Sequence, residues 1–453
     1  MEQFFKLKEN GTNVKTEILA GVTTFMTMAY ILAVNPGILK AAGMDPGAVF
    51  TATALASFIA TVCMALFANK PFVLSAGMGV NAYFAYTVVL GMGYTWQEAL
   101  AAVFVEGLIF IVLSLTNVRE AIFNAIPPTL KVAVSVGIGF YICFIGLQNA
   151  KIVVDSATLV GMYSFRSSLA DGTFSYEGIS VLLALIGIII TAALLAKNVK
   201  GSMLLGILAT WGIGMIFQVA GLYVPNPDAG YYSMFPSAIV AMPASLAPTF
   251  LKMDFSILGT VNFITVIFAF LFVDTFDTLG TVIGCASRAD MLDEEGKLPE
   301  IRGVLLADAI GTTVGAAMGT STVTTFVESS SGIVEGGRTG LTAITSALLF
   351  LSAVFFSPLF LAIPSAATAP AFVMVGFLMM QQITKIDWNG ELSEAVPSFI
   401  TIFAMPFLYS ISEGISFGII SYVLMNLVMG KTKKITPLMY VLAVIFILKY
   451  VIL

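Results

Sequence analysis

Asp274 and Asp277 lie in Phe270-Leu-Phe-Val-Asp274-Thr-Phe-Asp277-Thr-Leu-Gly280, a run that is otherwise apolar. Three residues apart on a helix, their carboxyl groups share one face. A charged side chain at the centre of a bilayer costs roughly 2.5–3.5 kcal/mol on insertion scales, so two together point to a site. Glu328 sits in a second such stretch, Ser321-Thr-Val323-Thr-Thr325-Phe326-Val-Glu328-Ser329-Ser330-Ser331-Gly332. A carboxylate accepts N–H bonds, and a desolvated carboxyl group favours its neutral form. Such groups can hold a polar solute and carry protons. The chain has no histidine, so any proton movement runs on carboxyl groups and water. Asp274 and Glu328 are the candidates for it.

Other residues fit around these acids. Asn81 offers both a donor and an acceptor, although it can equally tie two helices together. Phe326 offers a flat face for stacking, although plain packing is an equal expectation among 36 phenylalanines. Each acid also has a structural reading as a satisfied bond between helices. Glu106 and Asp308 are further intramembrane acids, read as structural or relay groups. Glu413 reads as a helix-start charge, and the Asp290-to-Glu295 cluster as a solvated loop. Cys63, Cys143 and Cys285 have neither metal nor disulfide spacing. Neither a metal nor a cofactor is expected.

The elements that position these residues must span lipid. The chain is 58% hydrophobic and 10% charged, against about 25% charged in soluble domains. Apolar runs occupy 16–35, 48–68, 73–91, 97–115, 129–148, 178–196, 201–221, 257–283, 303–319, 322–337, 341–360, 367–383, 396–411 and 413–429. These read as fourteen transmembrane spans. The short apolar tail 437–453 lies at the interface or packs on the bundle. The first run ends at Asn35-Pro36-Gly37, not at a small-residue cleavage site, so no cleavable leader is evident. With the N-terminus in the cytoplasm, the outside loops carry only Lys40, Lys151, Arg166 and Lys252. Sixteen other Lys and Arg fall inside, Arg119 and Lys297 among them.

Seven spans precede the proline-rich loop 222–256 and seven follow it. An odd number per half inverts the halves relative to one another, a plan common in secondary transporters. Ile126-Pro127-Pro128 and Ile363-Pro364-Ser365 open spans at matching places. The third span of each half combines an extended or β-branched run with a helix-opening one: Pro71 to Asn81, and Ser321 to Gly332. This predicts two short strands that can pair at mid-membrane. Each leads into a half-helix whose free N–H groups aim at a solute.

Val273-Asp274-Thr-Phe-Asp277-Thr-Leu-Gly280-Thr, Gly77-Met-Gly79-Val-Asn81-Ala-Tyr83-Phe84, and Glu328-Ser-Ser-Ser-Gly332 with Gly336-Gly-Arg338-Thr-Gly340 make a specific set. The chain resembles, along essentially its whole length, the azaguanine-resistance-like purine branch of the nucleobase–ascorbate transporter family. The resemblance implies an all-α polytopic membrane protein of fourteen spans in two inverted seven-span repeats. It implies a core domain (1–116 and 257–362), a gate domain (117–256 and 363–430) and a C-terminal tail (431–453). It also implies proton-coupled import of guanine, hypoxanthine or adenine across the cytoplasmic membrane by a homodimer, with no nucleic-acid partner. The family's binding residues match Asp274, Asp277, Glu328, Asn81 and Phe326 here, with Ser329 and Ser330 adaptable beside them. Ser329 stands where the wider family usually has Asn, which weakens transfer of contacts from pyrimidine carriers.

Other readings keep the fold and change the solute to uracil, xanthine or an inorganic anion. Negative site acids disfavour the anion. A magnesium-dependent membrane prenyltransferase would use Asp274-x-x-Asp277, but it needs a second acidic cluster on a separate span. The second cluster here sits in the adjoining loop.

Overall fold

In lipid a long apolar segment satisfies its backbone by becoming helical. The computed structural model describes residues 2–116, 126–156, 159–289, 291–293 and 298–452. Arg119, Asp290, Glu294, Glu295 and Lys297 lie outside them. Among the described residues nine helices are long and apolar enough to cross a bilayer. With shorter apolar elements they fill the fourteen expected positions in order.

Span 1 is Val14–Met28 and Ile31–Ala41, and spans 2 and 4 are Pro46–Phe67 and Trp96–Leu115. Spans 5, 6 and 7 are Pro128–Asn149, Ile179–Ala196 and Ser202–Val219. Spans 8, 9 and 11 are Val261–Arg288, Ile301–Met318 and Gly340–Ala353. Spans 12, 13 and 14 are Ser365–Met380, Leu392–Phe407 and Ile411–Val428. Local chemistry starts several of them. Asp45 accepts from the Ala48 N–H at 2.7 Å, ahead of Pro46. Thr95 and Glu98 close a reciprocal capping box.

Span 1 departs from expectation. It does not stop at Asn35-Pro36-Gly37 but breaks earlier, at Ala29-Tyr30, and carries Pro36 inside its second helix. Spans 3 and 10 are discontinuous as predicted. Span 3 is strand β1 (Leu74–Ala76), a helix Met78–Ala82 and a wide π-helical stretch Tyr83–Gly91. After it comes an unforeseen hairpin near the end of span 5, β2 (Val153–Ser156) with β3 (Leu159–Met162). Span 10 is strand β4 (Val323–Thr325) and a half-helix Ser329–Val334. The tail forms a helix, Pro437–Ile452, that packs on the bundle. Its Phe446 ring meets Phe268 of span 8, and Tyr450 stacks on Phe417 of span 14.

The packing repeats between halves. Span 4 lies on span 9, and span 11 on span 2. Span 12 lies on span 6, and span 5 on span 13; span 7 meets span 12, and span 14 meets span 5. Each pair becomes the other when the halves are exchanged. Spans 1–4 pack with 8–11, and spans 5–7 pack with 12–14.

Equivalent elements also meet each other. Spans 5 and 12 cross at Gly139 and Gly376. A Cβ on Gly376 would lie 2.5 Å from the Gly139 carbonyl oxygen, and one on Gly139 would lie 2.9 Å from that of Gly376. Backbone cannot yield as a flexible side chain does. We therefore predict that Gly376→Ala destabilises the detergent-solubilised protein by about 1–3 kcal/mol, the usual cost of overpacking. Gly212→Ala, in a span-7 helix with nothing within 4 Å, leaves stability equal or higher. Thermal unfolding of both variants checks the pair; equal stability would show that the crossing is loose.

Candidate functional site

The site is built on two three-residue strands. β1 and β4 pair antiparallel, with Leu74 opposite Thr325, Ser75 opposite Thr324 and Ala76 opposite Val323. The ladder extends at both ends: Gly77 N–H donates to the Thr322 carbonyl and Phe326 N–H to the Val73 carbonyl, both at 3.0 Å. A two-stranded sheet leaves two edges, and in this interior each is closed by a threonine. Thr61 of span 2 takes the Leu74 N–H at 3.1 Å and donates to the Leu74 carbonyl at 3.2 Å. Thr312 of span 9 does the same for Val323, at 3.2 and 3.0 Å. Spans 2 and 9 are equivalent in the two halves, so the two closures are counterparts.

The strand pair brings the predicted acids of spans 8 and 10 to one place. Glu328 follows β4 and immediately precedes the half-helix. The Tyr30 hydroxyl, from the break in span 1, donates to its Oε1 at 2.7 Å. Thr324, on β4, donates to Asp277 Oδ2 at 3.4 Å, and Asp277 lies within Coulombic range of Glu328 and Asp308. Gly77 makes room for this arrangement: its added Cβ would fall 2.5 Å from Thr324 Cγ2 and 3.6 Å from Asp277 Oδ2.

The acids divide by exposure. Asp277 and Glu328 are partly exposed, whereas Asp274, Asp308 and Glu106 are buried. Thr278 joins two of the buried ones, with contacts of 3.1 Å to Asp274 Oδ1 and 2.8 Å to Asp308 Oδ1. Thr322 donates to Glu106 Oε2 at 3.0 Å. Asp274 is thus enclosed, one turn of span 8 before the partly exposed Asp277.

Asn81 is buried in a polar network. Its amide donates to Asn35 Oδ1 at 2.6 Å, and Ser321 donates to its Oδ1. Asn35 in turn donates to Thr53 and Thr320, at 2.7 and 2.9 Å. Ser329 accepts the Val73 N–H at 3.0 Å. Phe326 and Ser330 lie at the edge of burial. The N–H groups expected to be free at the opening of the half-helix are engaged. Those of Ser329, Ser330 and Ser331 donate to the carbonyls of Phe326, Val327 and Glu328 at 3.1, 3.0 and 2.9 Å. The chain turns tightly out of β4, and the turn consumes them.

The sequence reading missed Tyr30, Asn35 and Glu17. Glu17 is buried in span 1 and accepts from the backbone of Arg338, Thr339 and Thr342 at 2.8, 3.3 and 3.0 Å. It also accepts from the Thr339 and Thr342 hydroxyls at 2.9 and 2.7 Å. Arg338 donates to the Ile333 carbonyl near the end of the half-helix at 2.7 Å. Glu17 thus fixes the turn from span 10 to span 11. An acid in the first turn of an apolar run was the available signal. We predict that Glu17→Ala lowers stability by at least about 3 kcal/mol, since several buried donors lose their acceptor at roughly 1–3 kcal/mol each. Glu17→Gln, which keeps one acceptor oxygen, loses less. Unfolding midpoints in detergent test the order of the two variants.

Comparison with known proteins follows the same lines. A sequence model of the Permease family matches residues 15–417. The guanine/hypoxanthine permease PbuG of Bacillus subtilis is 43% identical over 463 residues, which cover 100% of this chain and 99% of that protein. The adenine permease AdeP of Escherichia coli is 39% identical over 452 residues, covering 100% of this chain and 96% of that one. Among solved structures, the transmembrane domain of the cyanobacterial bicarbonate transporter BicA superposes with a TM-score of 0.63 at 17% identity. It covers 90% of this chain and 97% of that one. At that identity the likeness is one of fold.

Proposed function

The chain belongs to the permease family, and from that premise we propose that it imports purine nucleobases across the cell membrane by proton symport. One observation carries the reading: Asp277 and Glu328, partly exposed acids from spans 8 and 10, stand together at the strand pair. A neutral purine displays ring N–H groups on a flat apolar body. Two carboxyl groups accept those N–H bonds, Phe326 covers a face, and the Ser329 and Ser330 hydroxyls adapt to either polarity. Asn81 contributes through the network that anchors the site. Tyr30 releases or shares Glu328 as the base arrives.

Proton coupling falls to Asp274 and Glu328. The burial of Asp274 favours a proton-carrying role over contact with the base. The packing of spans 1–4 on 8–11 supports a core, 1–116 with 257–362, that moves against a gate, 117–256 with 363–430. The N-terminus is cytoplasmic in this reading, and the assembly is a homodimer.

We expect Glu328→Gln to abolish hypoxanthine uptake while its abundance in the membrane is unchanged; uptake at the normal rate would refute its role. Asp277→Asn should weaken base binding by about tenfold or more, the scale of one charged hydrogen bond. Asp274→Asn should depress accumulation more than affinity. A protonophore should stop accumulation in energised vesicles. Accumulation sustained by a sodium gradient alone would overturn the coupling.

A further inference from the structure

A cavity of about 510 Å³ opens on the face that carries the 222–256 crossover, within the size range of small-molecule sites. It abuts the segments that build the acid site. Ala33 and Val34 in its wall follow Tyr30 within about one helical turn, and Tyr86 in its wall follows Asn81 in span 3. Tyr86 and Asn149 bond across it, the phenol donating to Oδ1 at 3.2 Å and the amide to the phenol at 2.8 Å.

Its chemistry differs from that of the inner site. No carboxylate is among its described lining residues, while Lys40 and Lys151 are. The Lys40 ammonium lies 5.3 Å from the Tyr232 ring centroid, and that of Lys151 lies 5.4 Å from Tyr231. Lys151 also pairs with Glu177 at 2.7 Å. No ion pair holds Lys40 among the described residues. An ammonium group only donates. A 6-oxopurine presents two acceptors, O6 and N7, on one edge, whereas adenine presents N7 beside an amino donor. Tyrosine rings beside the lysines add flat surfaces on which any purine can lie.

We propose that this outer cavity is a loading site that selects 6-oxopurines over adenine, with Lys40 the chief selecting residue and Lys151 its second. The inference rests on the purine reading above and deepens it by naming the substrate class. The amino group of adenine meets a donor where the carbonyl of hypoxanthine meets a complement. Discrimination of this kind comes as much from the mismatch as from the match.

The test is initial uptake of radiolabelled hypoxanthine and adenine by vesicles holding the full-length protein. The readout is the ratio of the two kcat/KM values, which is independent of how much carrier each preparation contains. The wild type should favour hypoxanthine. Lys40→Gln should reduce the ratio about tenfold, the scale of one charged hydrogen bond, and Lys151→Gln should reduce it less. Lys40→Arg, which keeps a cationic donor, should preserve most of it. A ratio unaltered in both Gln variants, or a wild type that favours adenine, overturns the selection while leaving purine transport intact. A wild type that takes up neither base removes the purine reading itself.

Discussion

Backbone satisfaction in a medium without water is the constraint on which this structure turns. Six strand residues at the centre of the bundle expose amide groups on both edges, and each unsatisfied group would cost several kcal/mol. The chain meets the demand with one strand from each half and one threonine hydroxyl at each outer edge, Thr61 on Leu74 and Thr312 on Val323. A hydroxyl serves here because it donates and accepts at once. Neither half can build the arrangement alone, so the sheet locks the halves together. It also places the acids: Asp277 is held from β4 by Thr324, and Glu328 is the third residue after that strand.

Span 1 adds a second bond to the same element. Its break presents Tyr30 to Glu328 at the start of the half-helix. One end of the span sends Glu17 to the turn beyond the half-helix. The other helix sends Asn35 to Asn81 in span 3 and Thr320 before β4. A single span thus touches both discontinuous segments and both ends of one of them. The half-helix Ser329–Val334 is too short to hold itself in place, and these ties supply what its length does not.

Much of this was legible in the sequence. Apolar runs of span length, an odd number per half and the β-branched run before Glu328 gave the fourteen positions and the two strands. The three-residue spacing of Asp274 and Asp277 marked a face but could not say which acid is the more exposed, since that depends on how span 8 is rotated against β4. Tyr30 was invisible because nothing local distinguishes it among 14 tyrosines; its role comes from a partner almost 300 residues away. Asn81 was legible as a polar group in lipid, but its commitment to Asn35 and Ser321 is tertiary. The free N–H groups expected at Ser329 to Ser331 failed for a geometric reason, because the turn out of β4 is tight enough to use them.

The two helix groups are bonded differently within themselves and between each other. Within the first group the contacts are buried networks that share partners, as around Glu17 and Asn35. Between the groups, side-chain hydrogen bonds gather at the wide helical stretch of span 3: Tyr86 with Asn149, and Thr87 with the Tyr141 hydroxyl at 3.0 Å and the Tyr409 carbonyl at 3.1 Å. An ion pair, Lys200 with Glu335, joins them elsewhere. Around these the facing surfaces are apolar, with Gly79 close against Ile138. Neutral bonds of this kind contribute about 0.5–1.5 kcal/mol net apiece, and an exposed ion pair about 0–1 kcal/mol. Among the described residues, parting the two helix groups breaks these few side-chain bonds and that ion pair. Separating the strand pair would instead strand amide groups in lipid. The boundary between the groups is therefore the weaker seam among the described residues, and the acids lie on the side of it that holds the strand pair.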